Sequence, residues 1–300
     1  MMKIQASTTL RIEPMRTIQN ILFPVDFSPS CAAMAAFVKR AASIFGAGVT
    51  LVHIFDLYSH DAFQLYVRPP SEVAEEQEIL ARQKLNSFLK SELPVGECPR
   101  ILLSGDAATQ IAQLARTERF DLIIMPTHAG VFRRTLLGST TAKVLNDTDC
   151  PVLTTQHAET SSPRQLEHRE WVCAIGMNAD SERVLRFASQ AAKDVHANLT
   201  LVHVIVASGA DLLVQLDLEE RLQSAKREAA SRRVEELQST AGSRARVSIG
   251  AIKDMVTEEA RRLRADVLVI GRSPQSGVSG RLRDLSYAVV RDAPCPVSSV

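Results

Sequence analysis

The chain is 300 residues long, enough for two domains of roughly 150 residues each. Thirty-five Lys and Arg against 34 Asp and Glu leave a net charge of +1, which excludes the basic footprint of a general nucleic-acid binder and excludes an acidic tail protein. A hydrophobic content of 45% excludes a disordered chain, and aromatics at 5% leave the core to Ala, Val, Ile and Leu, as in parallel α/β sheets.

Residues 1–16 are polar and mixed, lack the apolar segment of a secretory signal, and read as a disordered tail. Ile18 to Val25 is a short apolar strand. Ser28 or Ser30 caps an Ala-rich helix that runs to Phe45 and ends at Gly46 and Gly48. Val49 to Phe55 is a second strand. After Pro69-Pro70 a charged helix spans Glu72 to Ser91. Ile101 to Leu103 is a strand, Asp106 caps a helix to Glu118, and Asp121 to Met125 is a strand. Ser139 to Asn146 is a helix and Val152 to Thr155 a last strand. Residues 157–170 are polar and aperiodic, a linker between domains at 17–156 and 171–300. Strands then recur near 171–175, 198–206, 245–249, 266–270 and 296–300. Alternating strands and helices with apolar strands predict a doubly wound parallel sheet.

The two halves are copies. Thr50-Leu51-Val52-His53 returns as Thr200-Leu201-Val202-His203, and Phe37 as Phe187, 150 residues on. After a five-residue shortening, Gly105 matches Gly250, Asp121 matches Asp266, and Cys150-Pro151-Val152 matches Cys295-Pro296-Val297. Matches kept in one order over this length indicate duplication. Cys31, Cys98, Cys150, Cys173 and Cys295 are scattered and form no CxxC pair, which argues against a disulfide framework or zinc site and for a reducing, cytoplasmic compartment. No apolar run approaches the roughly 20 residues of a membrane helix.

In doubly wound sheets, ligands lie beyond the carboxyl ends of the strands, where the strand order switches. Three segments reach that edge in the first half. They are Pro24-Val25-Asp26-Phe27-Ser28, the pair His53-Ile54, and the loop from Pro126 to Leu137 that leads into a helix at Gly138-Ser139-Thr140-Thr141. A carboxylate there can accept from a ribose hydroxyl. A Gly-Ser helix start offers free N–H groups and a hydroxyl to phosphate. His53 and His203 recur although the second half lacks the Asp, which favours a structural histidine. Cys150 and Cys295 have no positioned base beside them and read as packing residues.

ILFPVDFS at 21–28, VTLVHIFD at 49–56, GDAATQIAQLA at 105–115, DLIIMPTH at 121–128, LLGSTTAKVL at 136–145 and DCPVL at 149–153 resemble a universal stress protein domain. The resemblance covers nearly the whole chain, once per half. It implies two five-stranded α/β domains of strand order 3-2-1-4-5, and a family that usually dimerises through its last strand. The family's nucleotide-binding members hold ATP with the first-strand Asp, an apolar residue after the second-strand His, and a pattern of Gly, two residues, Gly, nine residues, Gly-Ser or Gly-Thr. Carried onto this sequence, that implies an adenine-nucleotide site at Pro24, Val25, Asp26, Ile54, Met125, Thr127, Gly138, Ser139 and Thr140, with Mg²⁺ accompanying the phosphates.

The departures set the alternatives. Pro126 and Ala129 replace the first two glycines, and the loop from Ala129 to Gly138 is one residue short. In the second half Gly176 replaces the Asp, Pro274 replaces the second glycine, and Arg283-Asp284 replace the Gly-Ser, so no ATP is expected there. Arg272, Arg281 and Arg283 read as solvated surface groups. One reading is therefore a stress-response or signalling protein with a regulatory ATP site in the first half and an unknown protein partner. The other is a scaffold that binds no nucleotide, its halves forming an intramolecular pseudo-dimer; further pairing into a homodimer stays open. GxxxxGKS/T, GxGxxG after the first strand, GxSxG and HExxH are all absent, and no base is placed to activate water, so an efficient ATPase is not indicated.

Overall fold

The computed structural model describes residues 17–55, 70–127, 137–155, 167–176, 180–206, 224–225, 227–229, 231–236, 243–272 and 280–300. The tail expected at 1–16 and most of the expected linker lie outside them. In the first half the elements are β1 (Asn20–Pro24), α1 (Pro29–Ala33), α2 (Ala35–Phe45), β2 (Gly48–Phe55), α3 (Pro70–Ser87), β3 (Arg100–Ser104), α4 (Ala107–Thr117), β4 (Leu122–Pro126), α5 (Ser139–Asp147) and β5 (Val152–Thr155). In the second half they are β6 (Glu170–Ala174), α6 (Ser181–Asp194), β7 (Asn198–Ile205), β8 (Arg244–Ile249), α7 (Ile252–Arg262), β9 (Val267–Ile270), α8 (Gly280–Asp292) and β10 (Val297–Ser299).

The expected caps are in place. Ser28 accepts from the Cys31 N–H, with Pro29 in the first turn. Asp106 accepts from the Thr109 N–H (3.0 Å). Gly46 closes α2 in the left-handed region at φ 64°, a conformation open to glycine at little cost. The single helix expected from Ser28 or Ser30 to Phe45 is divided at Met34, whose N–H turns back to the Cys31 carbonyl (3.1 Å), a tighter three-residue step.

Each half has the strand order 3-2-1-4-5, and the halves share one sheet, β3-β2-β1-β4-β5-β10-β9-β6-β7-β8. All the strand pairs are parallel except β5 with β10. There Val297 pairs with Thr154, Ser298 with Leu153 and Ser299 with Val152. Val152 and Val297 are the same position of the repeat, so the seam is its own mirror: a pseudo-twofold axis passes through Leu153 and Ser298. The tandem chain is thus an intramolecular pseudo-dimer.

One core cluster runs through both halves, with Ile18, Phe37 and Phe45 on one side and Trp171, Cys173 and Val300 on the other. The repeated residues are largely structural. Asp121 accepts the N–H groups of Gln19 and Asn20 (2.9 Å each), and Asp266 those of Arg169 and Glu170 (2.8 and 2.9 Å). Each carboxylate thereby fixes the start of a central strand. Among the described residues no helix is long and apolar enough to cross a membrane.

Candidate functional site

The carboxyl ends of β1, β2 and β4 meet the start of α5 around a cleft of about 300 Å³. Local chemistry shapes its first wall. After β1, the Asp26 carboxylate accepts the Ser28 N–H (2.9 Å), an Asx turn that leaves the capping of α1 to Ser28. Phe27 between them sits at φ 63°, a strained setting for a bulky residue, at a cost on the order of 1–3 kcal/mol. Packing holds it there. Its ring lies 4.2 Å from that of His53 and 5.2 Å from that of Phe88, with the Lys84 ammonium 4.7 Å over its face. The turn leaves Asp26 exposed at the cleft. Burial pushes its carboxyl upward, but hydrogen bonds from Ser28 and Cys31 outweigh this and hold it below the usual carboxylate range, so it is an anion and an acceptor at neutral pH.

His53 lines the cleft but is occupied. Its Nδ1 donates to the Val25 carbonyl (2.7 Å), and burial holds the ring below its ordinary pKa, so it is neutral. His203 makes the same bond to Ile175 (2.9 Å). The repeated histidines therefore brace the residue that follows the central strand in each half.

The opposite wall is the start of α5. Gly138 stands at its N-cap, without a side-chain cap bond and without an acidic residue in the first turn. The first hydrogen bond of the helix comes from Ala142 to the Gly138 carbonyl (2.8 Å), which leaves the N–H groups of the first turn outside the helical ladder. Such a turn attracts anions through its partial positive charge. The Gly138 N–H closes onto the Thr127 carbonyl (2.8 Å), tying the two ends of the intervening segment together.

Of the residues singled out from the sequence, Pro24, Val25, Asp26, Ile54, Met125, Gly138, Ser139 and Thr140 all line this cleft. Thr127 does not. It is buried, and its hydroxyl turns to the Thr155 carbonyl of β5 (3.4 Å). Pro126, Leu137 and Thr141 of the third edge segment line it too, and Cys31 of α1 and Ala107 and Ile111 of α4 join them without having stood out in the sequence. The apolar stripe of α4 was visible in the sequence, but which of its residues reach the cleft depends on how the helix crosses the sheet. Ala129 and His128 lie outside the described residues.

The corresponding cleft of the second half is smaller, about 190 Å³, and more apolar. Gly176 takes the place of Asp26, Ile252 that of Ala107, and Leu285 that of Thr140. Arg272, read from the sequence as a solvated surface group, is half-buried instead. It donates to the carbonyls of Leu145, Thr148 and Cys150 in the first half (3.0, 2.6 and 2.9 Å). The side chains of Arg281 and Arg283 lie outside the described residues. Cys150 and Cys295 are both pushed up to about 12 by burial, which leaves them as neutral packing residues.

A profile of the universal stress protein family matches residues 17–156 and again 169–300. The chain is 27% identical over 141 residues to universal stress protein A homolog 1 of Coxiella burnetii, a match covering 45% of this chain and 97% of the relative. It is 30% identical over 137 residues to a universal stress protein of Thermus aquaticus, covering 45% and 96%. Among solved structures, a universal stress protein of Archaeoglobus fulgidus aligns over 95% of this chain and 96% of its own with a TM-score of 0.62 at 18% identity, a likeness of fold. These matches and the duplicated 3-2-1-4-5 sheet agree: the chain belongs to the universal stress protein family, with one copy of the domain in each half.

Proposed function

We propose that this is a stress-response or signalling protein whose first half takes up an adenine nucleotide as a regulatory ligand, while the second half takes none. The observation that carries the reading is the convergence, on one cleft of about 300 Å³, of an ionised Asp26 on one wall and the uncapped first turn of α5 on the other. A ribose and a phosphate chain need that pair: an acceptor for hydroxyls and a cluster of N–H donors for anionic oxygens. Val25, Ile54 and Met125 supply an apolar flank for the base. Mg²⁺ would enter with the phosphates, whose oxygens it prefers. Ligand binding would change the surface that the rim of the cleft offers to a protein partner.

Isothermal titration of ATP with Mg²⁺ into the chain tests this. One site per chain, weakened at least tenfold in Asp26→Ala, is the expected result. No heat and no thermal shift at millimolar ATP would leave the reading of a nucleotide-free scaffold. Pro126 favours that second reading, because it stands at the family's first glycine and lacks an N–H to offer.

A further inference from the structure

We infer that the second half, having lost its own site residues, serves the first half by holding α5 in position through Arg272 and Tyr287. The helix has two ends with different surroundings. Its first turn forms the cleft wall, at Gly138, Ser139 and Thr140. Its last turn and the residues after it face the pseudo-twofold seam. The last carbonyls of a helix have no partner within it and carry the negative end of its dipole. Arg272 answers both needs at once. Its guanidinium spans the carbonyls of Leu145 and Thr148 with one nitrogen and that of Cys150 with another. Its own backbone is anchored, since its N–H donates to the Val300 carbonyl (2.8 Å). Burial pulls its pKa down to about 10, so it keeps its charge at neutral pH.

Tyr287 adds a second hold. Its hydroxyl donates to the carbonyl of Ala142 (3.0 Å), the residue after Thr141 of the cleft wall. Tyr287 and Ala142 are the same position of the repeat, so this contact sits at the axis itself. A nine-residue helix is a rod about 13 Å long. Fixing it at its middle and its end fixes the direction of the N–H groups at its start.

The hold is one-sided. The position of Arg272 is filled in the first half by Thr127, whose short side chain turns to Thr155 within its own half. The helix that receives the arginine is the one that starts with Gly138-Ser139. Its counterpart α8 carries Arg283-Asp284 at the equivalent positions. The degenerate half thus supplies a positioning residue to the half that kept its site. Arg272 also lines the second-half cleft, so a molecule seated there would touch the group that holds α5.

The consequence for ligand binding rests on the nucleotide reading; the hold itself does not. The test compares the parent chain with Arg272→Ala, Arg272→Lys and Tyr287→Phe. The last removes one hydroxyl and guards against a variant that simply fails to fold. Hydrogen exchange without nucleotide is measured over 139–147, and binding of ATP and of adenosine by titration. The expected result is faster exchange in α5 for Arg272→Ala and Tyr287→Phe. ATP affinity falls about tenfold in Arg272→Ala, adenosine affinity stays within twofold, and Arg272→Lys is intermediate. Unchanged exchange in α5 overturns the hold. Equal losses for ATP and adenosine, or no loss for ATP, overturn its role in orienting the phosphate side. A parent chain that binds neither ligand overturns the nucleotide reading and the orienting role with it, and leaves the hold to be decided by exchange.

Discussion

The Nδ1 of His53 stands 2.7 Å from the carbonyl oxygen of Val25, the last backbone acceptor before the turn that carries Asp26. A carbonyl only accepts, so the proton is on Nδ1. The imidazole bridges β2 to the end of β1, just past the last ladder pair, Pro24 with Val52. Because His203 repeats the bond to Ile175 in a half without the Asp, the bond belongs to the scaffold.

Replacing His53 by Ala should therefore cost about 1–2 kcal/mol of stability, from the lost bond and the carbonyl left poorly satisfied. His203→Ala should cost a similar amount. Urea denaturation of the two variants measures both. A loss confined to His53 would mean that its role is tied to the cleft and not to the strand ends.

His168 gives a pH dependence with a definite sign. Its ring is 1% exposed and packed among Phe37, Phe45 and Trp171, and neither ring nitrogen has a hydrogen-bond partner among the described residues. Burial, helped by the positive charge of Arg40, lowers its pKa from 6.5 to about 4. The native state keeps it neutral, while the unfolded chain binds a proton below 6.5. Stability is therefore full above that pH and declines as pH falls toward 4, by about 2 kcal/mol between pH 7 and pH 5 from this residue. His168→Phe should keep the aromatic packing and flatten that part of the slope. Denaturation midpoints at the two pH values, for parent and variant, decide it; parallel losses in both would assign the slope to other groups.

Ser139→Asp separates folding from binding at the cleft. A carboxylate in the first turn of α5 meets the positive end of the helix and should add 0.3–1 kcal/mol, roughly, to stability. The same charge repels phosphates across a short distance and should weaken ATP at least tenfold, with adenosine little changed. The second half already carries Asp284 at this position. Thermal melting and titration of the one variant should move in opposite directions. If both fall together, the substitution has damaged the helix start and says nothing for a phosphate contact.

Much of this architecture is legible in one sequence. The central strands of a parallel sheet are buried on both faces, so β1 from Ile21, β4, β6 from Trp171 and β9 read as apolar runs. The caps at Ser28 and Asp106 are satisfied by N–H groups three residues away, and such short-range chemistry needs no knowledge of the fold. Asp26 and Gly138-Ser139 are expected near one another because strand ends and helix starts converge in this topology, and they line one cleft.

What failed depends on distance along the chain. Thr127 follows Met125 and Pro126, yet its side chain turns to β5, because the edge beyond β4 is set by where Thr155 lies. Arg272 looked like a surface arginine because its partners at Leu145, Thr148 and Cys150 are more than 120 residues away. Periodicity, caps and repetition are local or internal properties, and the sequence alone determined the two-copy α/β fold from them. Pairing through the last strands was implied by the family resemblance; the single ten-stranded sheet with its antiparallel register at β5 and β10, and with it the seating of a second-half arginine on a first-half helix, was decided only in the tertiary structure. Backbone groups left open at the strand edges and helix end are satisfied there by whatever the twofold arrangement brings beside them.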